Sequence, residues 1–329
     1  MRSAFFAFPK NDTSRDLRPV FDNLRPVKLS LSTCWNSWRH QDGRSMVEEI
    51  LQLGFDSLEL SHGIRSSQFE GILQIREKRK FQVSSVHNFM PMPVEVQTDS
   101  PDCYEFTSDR ASDRERALKL TIATIDWAAK LEAPFVVVHT GRMRSLNIGE
   151  PLRVMVEQGK LHSREYVRQK LAAVQSREKV AENYTVRVLE LLREAAEHAG
   201  KRGVKLGIEN REHYEAIPSE REFPDFLKRL DSKNAGYWHD FGHAQIKENL
   251  GLIDHSEHLE TMAPRLLGCH IHDTRWPFRD HCPPFTGEIR FEELVPLLPK
   301  KCAMVLEMSP RTEASDIVKA AEAWSKHFA

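Results

Sequence analysis

The chain alternates eight times between a short apolar run and a longer run with helical spacing, and this alternation constrains its fold more than any other feature. Several of the short runs are apolar without strict alternation, which is typical of parallel strands covered by helices. They are predicted at residues 28–34, 57–61, 82–87, 135–139, 205–209, 236–240, 266–272 and 303–307. Eight successive βα units predict an α/β protein whose strands close into a (β/α)8 barrel.

The length of the chain fits one such barrel. A (β/α)8 domain takes about 250 residues plus insertions, and the chain has 329 residues, of which 40% are hydrophobic. We therefore predict one barrel domain over residues 28–329, preceded by an irregular N-terminal extension over residues 1–27.

Two segments exceed the minimal repeat. Residues 90–110, after the third strand, are rich in Pro, Asp and Ser, and residues 142–160 follow the fourth strand. Both are predicted to be long βα loops, on the side where barrel enzymes build substrate pockets and lids. A long helical pattern follows over residues 163–199, and it could support a dimer contact, so a homo-oligomer is a possible assembly.

Composition narrows the classes of partner. The chain has 47 Lys and Arg against 48 Asp and Glu, a formal net charge of −1, so no overall field favours nucleic acid or an anionic membrane, although a local basic patch is compatible with that balance. We expect neither as a partner. The five cysteines form no CxxC pair, which argues against a disulfide scaffold and a zinc ribbon. The apolar run at residues 4–8 is too short for a signal peptide or a membrane span, so we expect a cytoplasmic protein.

Four ionisable residues stand at the ends of four consecutive predicted strands. These are Glu209, Asp240, His270 and Glu307. Neighbouring strands lie about 4.8 Å apart, so side chains from four adjacent strand ends can reach one cation in the barrel mouth. Any single acid is more often a surface or capping carboxylate, but apolar strands carry Glu209 and Glu307 to a region where an unpaired charge is costly.

This ligand set predicts one bound divalent metal ion. Mixed oxygen and nitrogen ligands suit Mn²⁺, Zn²⁺, Co²⁺ or Fe²⁺ better than Ca²⁺, and the absence of a thiolate argues against a structural zinc. The identity of the metal stays open among these ions and Mg²⁺.

Further residues are candidates for binding a substrate in the same mouth. They are His87, His139, Arg211, His243, Arg275 and His281. The histidines end strands or lie in βα loops, and a core histidine with satisfied hydrogen bonds is the competing interpretation. The arginines could bind a hydroxyl, carboxylate or phosphate, or form ordinary surface pairs. His272 and Asp273 are predicted to orient neighbouring ligands.

Short motifs in a fixed order support this interpretation. They are Gly-Ile-Glu209-Asn210-Arg211, Asp240-Phe-Gly-His243-Ala244, His270-Ile-His272-Asp273, Thr286-Gly287-Glu288-Ile289 and Leu306-Glu307-Met308. With them, residues 28–325 resemble the xylose-isomerase-like TIM-barrel superfamily. That superfamily includes sugar isomerases, ketose 3-epimerases, inosose dehydratases and endonuclease IV-type AP endonucleases.

The resemblance implies a metal-dependent isomerase or epimerase acting on a small-molecule sugar substrate: a ketose, a sugar acid or a related polyol. In such enzymes, residues matching Glu209, Asp240, His270 and Glu307 bind one metal, and the two glutamates exchange protons with the substrate. The metal would stabilise the enediolate that forms when a base removes a proton next to the carbonyl.

Three alternatives remain open. The three-zinc pattern of the AP endonucleases, which hydrolyse a phosphodiester, is matched at His87, His139, Glu209, Asp240, His243, His270, His281 and Glu307. The Asp expected two positions before its last His is Arg279 here, and Asp280 is displaced by one. An inosose-type dehydratase and a non-catalytic sugar-binding barrel are the other two alternatives.

Overall fold

The computed structural model describes residues 29–97 and 100–328, so the predicted extension over residues 1–27 lies outside the described residues. Eight parallel strands form a closed barrel, in the spatial order β1-β10-β7-β6-β5-β4-β3-β2. They are β1 Leu29–Ser32, β2 Ser57–Leu60, β3 Gln82–His87, β4 Phe135–Val138, β5 Lys205–Glu209, β6 Ala235–Asp240, β7 Leu266–Ile271 and β10 Ala303–Leu306. The predicted (β/α)8 architecture is confirmed.

Helices cover the barrel, and a small hairpin lies outside it. The helices are α1 Gly43–Gln52, α2 Ser66–Arg76, α3 Ala111–Lys130, α4 Gly149–Glu157, α5 Arg164–Glu178, α6 Ala181–Arg202, α7 Phe223–Leu230, α8 Phe241–Asn249, α9 His255–Met262, α10 Phe291–Leu294 and α11 Ala314–Phe328. The hairpin pairs β8 Asp273–Arg275 with β9 Arg279–Cys282 in antiparallel fashion. None of the described helices is long and apolar enough to cross a membrane.

The two predicted long βα loops differ in structure. Residues 88–97 and 100–110 contain no helix or strand, as predicted for an irregular loop. The excursion after β4 instead folds into α4 and α5. With α8 these helices form a small second core, which contains Leu152, Val156, Tyr166, Ala173, Ile246 and Leu250.

The long helical pattern predicted over residues 163–199 is two helices, α5 and α6, which corrects that prediction. The buried Arg177 in the last turn of α5 binds the Tyr214 and Ala216 carbonyls and pairs with Glu222, so the end of α5 is fixed to the loop after β5. The helix therefore ends there, and α6 packs on the barrel beside α3. Periodicity alone cannot detect this break, because both helices keep the same apolar spacing.

An indole ring fills the barrel lumen. Trp238 of β6 is fully buried in a layer with Val137 and Val305. Its neighbours on the two adjacent strands are Gly207 and Gly268, where an added Cβ would lie 2.8 and 2.3 Å from the indole. Both positions thus require glycine because the ring occupies the space of their side chains. The strand ends above this layer carry the candidate site.

A series of hydrogen bonds links buried polar side chains outside the barrel, between β6 and the helices that cover it. The Tyr237 hydroxyl is 2.8 Å from His239 Nδ1 and 2.8 Å from His258 Nε2, and His239 Nε2 is 3.0 Å from His255 Nε2. Burial lowers the pKa of His255 to about 3, with smaller contributions from His258 and Arg290, and burial lowers that of His258 to about 4. These imidazoles are therefore neutral in the folded protein at pH 7.

The neutral His255 predicts a specific pH dependence of stability. The pKa of His255 is 6.5 when unperturbed and about 3 in the folded protein. Between these values the unfolded chain binds a proton that the folded protein does not, so the free energy of unfolding is highest above pH 6.5 and decreases as pH falls towards 3. From pH 7.5 to 5.5 we expect the free energy of unfolding of the wild type, relative to His255→Gln, to fall by about 1.4 kcal/mol. Urea unfolding at both pH values measures this difference. A difference that does not change with pH would mean that the folded protein binds a proton at His255.

Candidate metal centre

Four buried side chains converge at the carboxyl ends of β5, β6, β7 and β10, which are consecutive strands in the barrel. Glu209 ends β5, Asp240 ends β6, His270 lies near the end of β7 and Glu307 follows β10. Each offers one ligand atom, and these atoms all lie within 4.8 Å of one another. Three buried carboxylates so close together repel each other and are costly without a cation. The donor set fits one divalent ion, and the role of these residues as ligands stays a prediction.

A buried carboxylate that sequence analysis missed orients His270. Glu59 of β2 is fully buried, and its Oε2 lies 3.0 Å from His270 Nε2. Ser32 and Ser85, on the two neighbouring strands, donate hydroxyl hydrogen bonds to Glu59. With Nε2 directed at this carboxylate, His270 Nδ1 faces Glu307 Oε2 at 3.2 Å and Glu209 Oε1 at 3.4 Å. Such an arrangement fixes both the tautomer and the ring orientation of a metal-binding histidine.

Removing the charge of Glu59 should weaken metal binding. Glu59→Gln leaves the fold a hydrogen-bonding group of the same size but gives His270 a weaker acceptor. We expect the dissociation constant for Mn²⁺ or Zn²⁺ to rise by about 10- to 100-fold, measured by equilibrium titration of the metal-free protein. The exposed Glu288→Gln is the control for loss of one charge on the same face of the barrel. Equal affinities for the wild type and Glu59→Gln would show that Glu59 does not support the ligand.

A second group joins His87, His139 and Glu209. Glu209 Oε2 lies 2.8 Å from His139 Nε2 and 3.3 Å from His87 Nε2. Asp102, from the irregular loop after β3, lies 2.9 Å from His139 Nδ1 and holds that ring as Glu59 holds His270. These three residues could also hold a metal ion.

A third group contains His272, His281 and Glu307. The His281 amide donates to His272 Nδ1 at 2.9 Å, so His272 Nε2 carries the proton and donates to Asp240 Oδ2 at 3.0 Å. This contact supports the predicted orienting role of His272. The two rings stack at 4.2 Å, and His281 has a positive φ of 50°, a strained value that places its ring in the mouth.

Asp273 has a different role from the one predicted. Its carboxylate accepts backbone N–H groups from Thr274, Thr286, Gly287 and Ile289. It therefore positions the turn that contains the Thr-Gly-Glu-Ile motif. None of its hydrogen bonds found among the described residues goes to a candidate ligand.

The remaining predicted substrate-binding residues divide into two sets. His243 donates its amide to Asp240 Oδ1, and its ring Nδ1 lies 3.0 Å from the Asn210 carbonyl. Arg211 lies among carboxylates, 3.2 Å from Glu212 and 3.7 Å from Glu209. These two residues join the cluster with His87, His139 and His281. The structure does not bring Arg275 to it: this residue is exposed on the hairpin, and its Nε donates to the Thr286 carbonyl.

The carboxylates and imidazoles of the candidate metal centre shift one another's pKa values. Burial alone would raise the pKa of Glu209, but attraction to His139 and His270 outweighs it and holds this pKa well below the usual range. The pKa of Glu307 is lowered in the same way by His270 and His281. Burial lowers the pKa of His243, but Asp240 and Glu212 raise it to about 9. Without a metal, protonated imidazoles therefore neutralise the carboxylates, and metal binding should release protons.

Comparison with known proteins places the chain in a family. The family model described as a xylose isomerase-like TIM barrel matches residues 47–327 of this chain. The chain therefore belongs to the xylose isomerase-like TIM-barrel family.

Individual relatives are distant. An uncharacterized protein of Methanocaldococcus jannaschii is 23% identical over 265 residues, covering 76% of this chain and 73% of that protein. Among solved structures, a D-tagatose 3-epimerase-like protein has a TM-score of 0.64 at 20% identity, covering 92% of this chain and 97% of that one. The 3-keto-D-glucoside 4-epimerase of E. coli has a TM-score of 0.65 at 13% identity, covering 91% and 99%. The zinc-bound IolI protein has a TM-score of 0.63 at 14% identity, covering 92% and 100%. At these identities the structural likeness establishes the fold alone.

Proposed function

We propose that the protein is a divalent-metal-dependent isomerase or epimerase acting on a ketose, a sugar acid or a related polyol. The observation that carries the proposal is the pair Glu209 and Glu307. Their carboxylates lie 3.4 and 3.2 Å from Nδ1 of one buried imidazole, His270, and they come from strands on either side of β7. Two carboxylates placed in this way can take a proton from one face of a carbon and return one to the other. The epimerases among the structural neighbours support the choice.

Different residues have different roles in the proposed reaction. A bound divalent ion would supply positive charge to stabilise the enediolate formed on proton removal. His139 and His87 contact Glu209 Oε2 and limit its freedom to move, whereas Glu307 is held by His270 and lies 3.7 Å from His281 Nε2. His243 and Arg211 would contact substrate oxygens. The irregular loop after β3 contributes Asp102 and borders the site.

Two measurements test the proposal. Metal analysis of protein purified without chelators should find about one divalent ion per chain, as the four-ligand cluster predicts. Incubation with a panel of ketoses in D₂O should then place deuterium on the carbon next to the carbonyl. Protein that neither retains nor binds a metal and gives no exchange with any ketose contradicts the proposal. Loss of water from the substrate would identify a dehydratase, and tight binding without turnover a binding protein.

Phosphodiester hydrolysis at abasic sites is the second candidate. It is favoured by two overlapping groups that could each hold a metal ion, one of His87, His139 and Glu209 and one of Glu209, Asp240, His270 and Glu307. In the third group, both ring nitrogens of His272 are engaged with His281 and Asp240. Against it, Arg279 is exposed on β9 at the position where the third zinc of that class takes an Asp. Three metal ions per chain and cleavage of abasic-site DNA, without deuterium exchange, would favour this activity.

A further inference from the structure

Charge is segregated along the barrel axis. We define the base as the end of the barrel where the strands begin, opposite the metal centre. The segments that lead from a helix into a barrel strand, with the first residue of β5, carry eight exposed cations: Lys78, Arg79, Lys80, Lys205, Lys233, Arg265, Lys300 and Lys301. The same segments carry four acids: Asp56, Glu77, Glu132 and Asp231. The near-zero net charge of the chain therefore conceals a basic face.

Two clefts at the base are lined by five of these cations. The first has a volume of about 660 Å³, and the cations that line it are Arg76, Lys300 and Lys301. Glu132 also lines it but pairs with Arg76. It spans the starts of β10, β1, β2, β3 and β4.

The second cleft has a volume of about 460 Å³ and spans the starts of β5, β6 and β7. It is lined by Lys205, Lys228, Lys233 and Arg265, against the single acid Asp231. Together the two clefts reach the starts of all eight barrel strands.

Helix dipoles explain only part of this charge. Cations in the last turn of a helix are stabilised by its C-terminal dipole, and Arg76, Lys130, Lys201, Arg202 and Lys228 are in such turns. Lys205, Lys233, Lys300 and Lys301 lie outside any helix, so no dipole accounts for their clustering. Mutual repulsion opposes such a cluster unless an anionic partner offsets it.

We propose that the base binds the phosphate backbone of a nucleic acid without reading its sequence. Two separate cationic clefts suit an anion that repeats along a chain, whereas a single small anion would occupy one of them.

Surface chemistry separates this partner from others. The large hydrophobic side chains that are exposed in the described part of the chain are Trp38, Val94, Val154, Val167, Leu171, Val186 and Trp276, and none lies in the segments of the base. A face that inserts into a membrane presents exposed apolar groups, and recognition of single strands uses exposed aromatic rings. The described segments of the base expose no large apolar or aromatic side chain, which favours the backbone of a duplex. A duplex held there lies at the far end of the barrel from Glu209 and Glu307, so this binding is independent of the proposed reaction.

The test is binding of the full-length protein to a labelled 20-base-pair DNA of random sequence, followed by fluorescence anisotropy. At 50 mM salt we expect a dissociation constant within about 10⁻⁶ to 10⁻⁴ M that weakens steeply as salt increases. Lys300→Glu combined with Lys301→Glu should weaken binding at least 10-fold and reduce the slope of log K against log salt by about two. The matched control, Arg164→Glu combined with Arg168→Glu on the exposed side of α5, makes the same change in net charge and should weaken binding less than 2-fold.

Several outcomes would overturn the proposal. They are no binding at 50 mM salt, an equal loss in both double variants, and preferential binding of anionic vesicles or an acidic peptide over DNA under the same conditions. Circular dichroism and thermal unfolding of each variant confirm that it is folded before binding is compared. A second variant, Lys233→Gln combined with Lys205→Gln in the other cleft, should also weaken binding. No effect of that variant would contradict the use of both clefts.

Discussion

Glu307→Gln is expected to abolish deuterium exchange at the carbon next to the substrate carbonyl. Glu307 is proposed both to hold the metal and to exchange protons, and a positioned general base alone contributes about 10²- to 10⁴-fold to a rate. We expect the exchange rate to fall by at least about 10³-fold. The measurement is the deuterium content of the substrate by NMR after incubation with protein of known metal content.

Glu288→Gln is the matched control, because Glu288 is an exposed glutamate on the same face of the barrel. It should exchange deuterium at the wild-type rate. The metal content of the variant separates the two proposed roles of Glu307, metal binding and proton exchange. A Glu307→Gln variant that retains its metal but does not exchange deuterium has lost only the general base. Normal exchange by metal-loaded Glu307→Gln would remove Glu307 from the mechanism.

The second large effect is on stability. Lys247 on α8 and Glu220 in the loop after β5 form a buried ion pair, with Nζ 2.7 and 2.8 Å from the two carboxylate oxygens and side-chain exposures of 1% and 3%. Glu220→Gln leaves the ammonium group buried without its counter-charge. We expect the free energy of unfolding to fall by about 3–5 kcal/mol, measured by urea denaturation at pH 7.5.

A double variant tests the cause of this loss. In Glu220→Leu combined with Lys247→Met both charges are absent, and replacement of a buried pair by apolar groups is often neutral or stabilising. Stability should therefore return to within about 1 kcal/mol of the wild type. A double variant as unstable as Glu220→Gln would mean that the loss comes from packing, not from an unpaired charge.

The fold and the four convergent residues could be predicted because their signals are local. Parallel strands covered by helices are apolar on both faces, so each strand is visible in a few residues, and an acid that ends such a strand is conspicuous. Glu59 carries a different signal, since it lies inside a buried strand, between Leu58 and Leu60. A rule that looks for acids at the ends of strands does not detect it, although a charge in the middle of an apolar strand is itself unusual.

Other features depend on contacts between distant segments. Asp102 reaches His139 from an irregular loop that contains several aspartates, and no spacing rule distinguishes it from the others. Arg275 was predicted to bind substrate, but the β8–β9 hairpin directs it towards Thr286, and a hairpin outside the barrel has no counterpart in the βα repeat. The cations at the base are scattered along the sequence. Their clustering becomes visible only when the fold shows at which end of its strand each cation lies.

The indole of Trp238 separates the two ends of the molecule. With Val137 and Val305 it forms a buried layer across the lumen, and its ring lies 5.4 Å from that of His270 in an edge-on arrangement. Because large side chains fill the lumen at this layer, a ligand of His270 would enter through the mouth, and the base is a separate surface of the same scaffold.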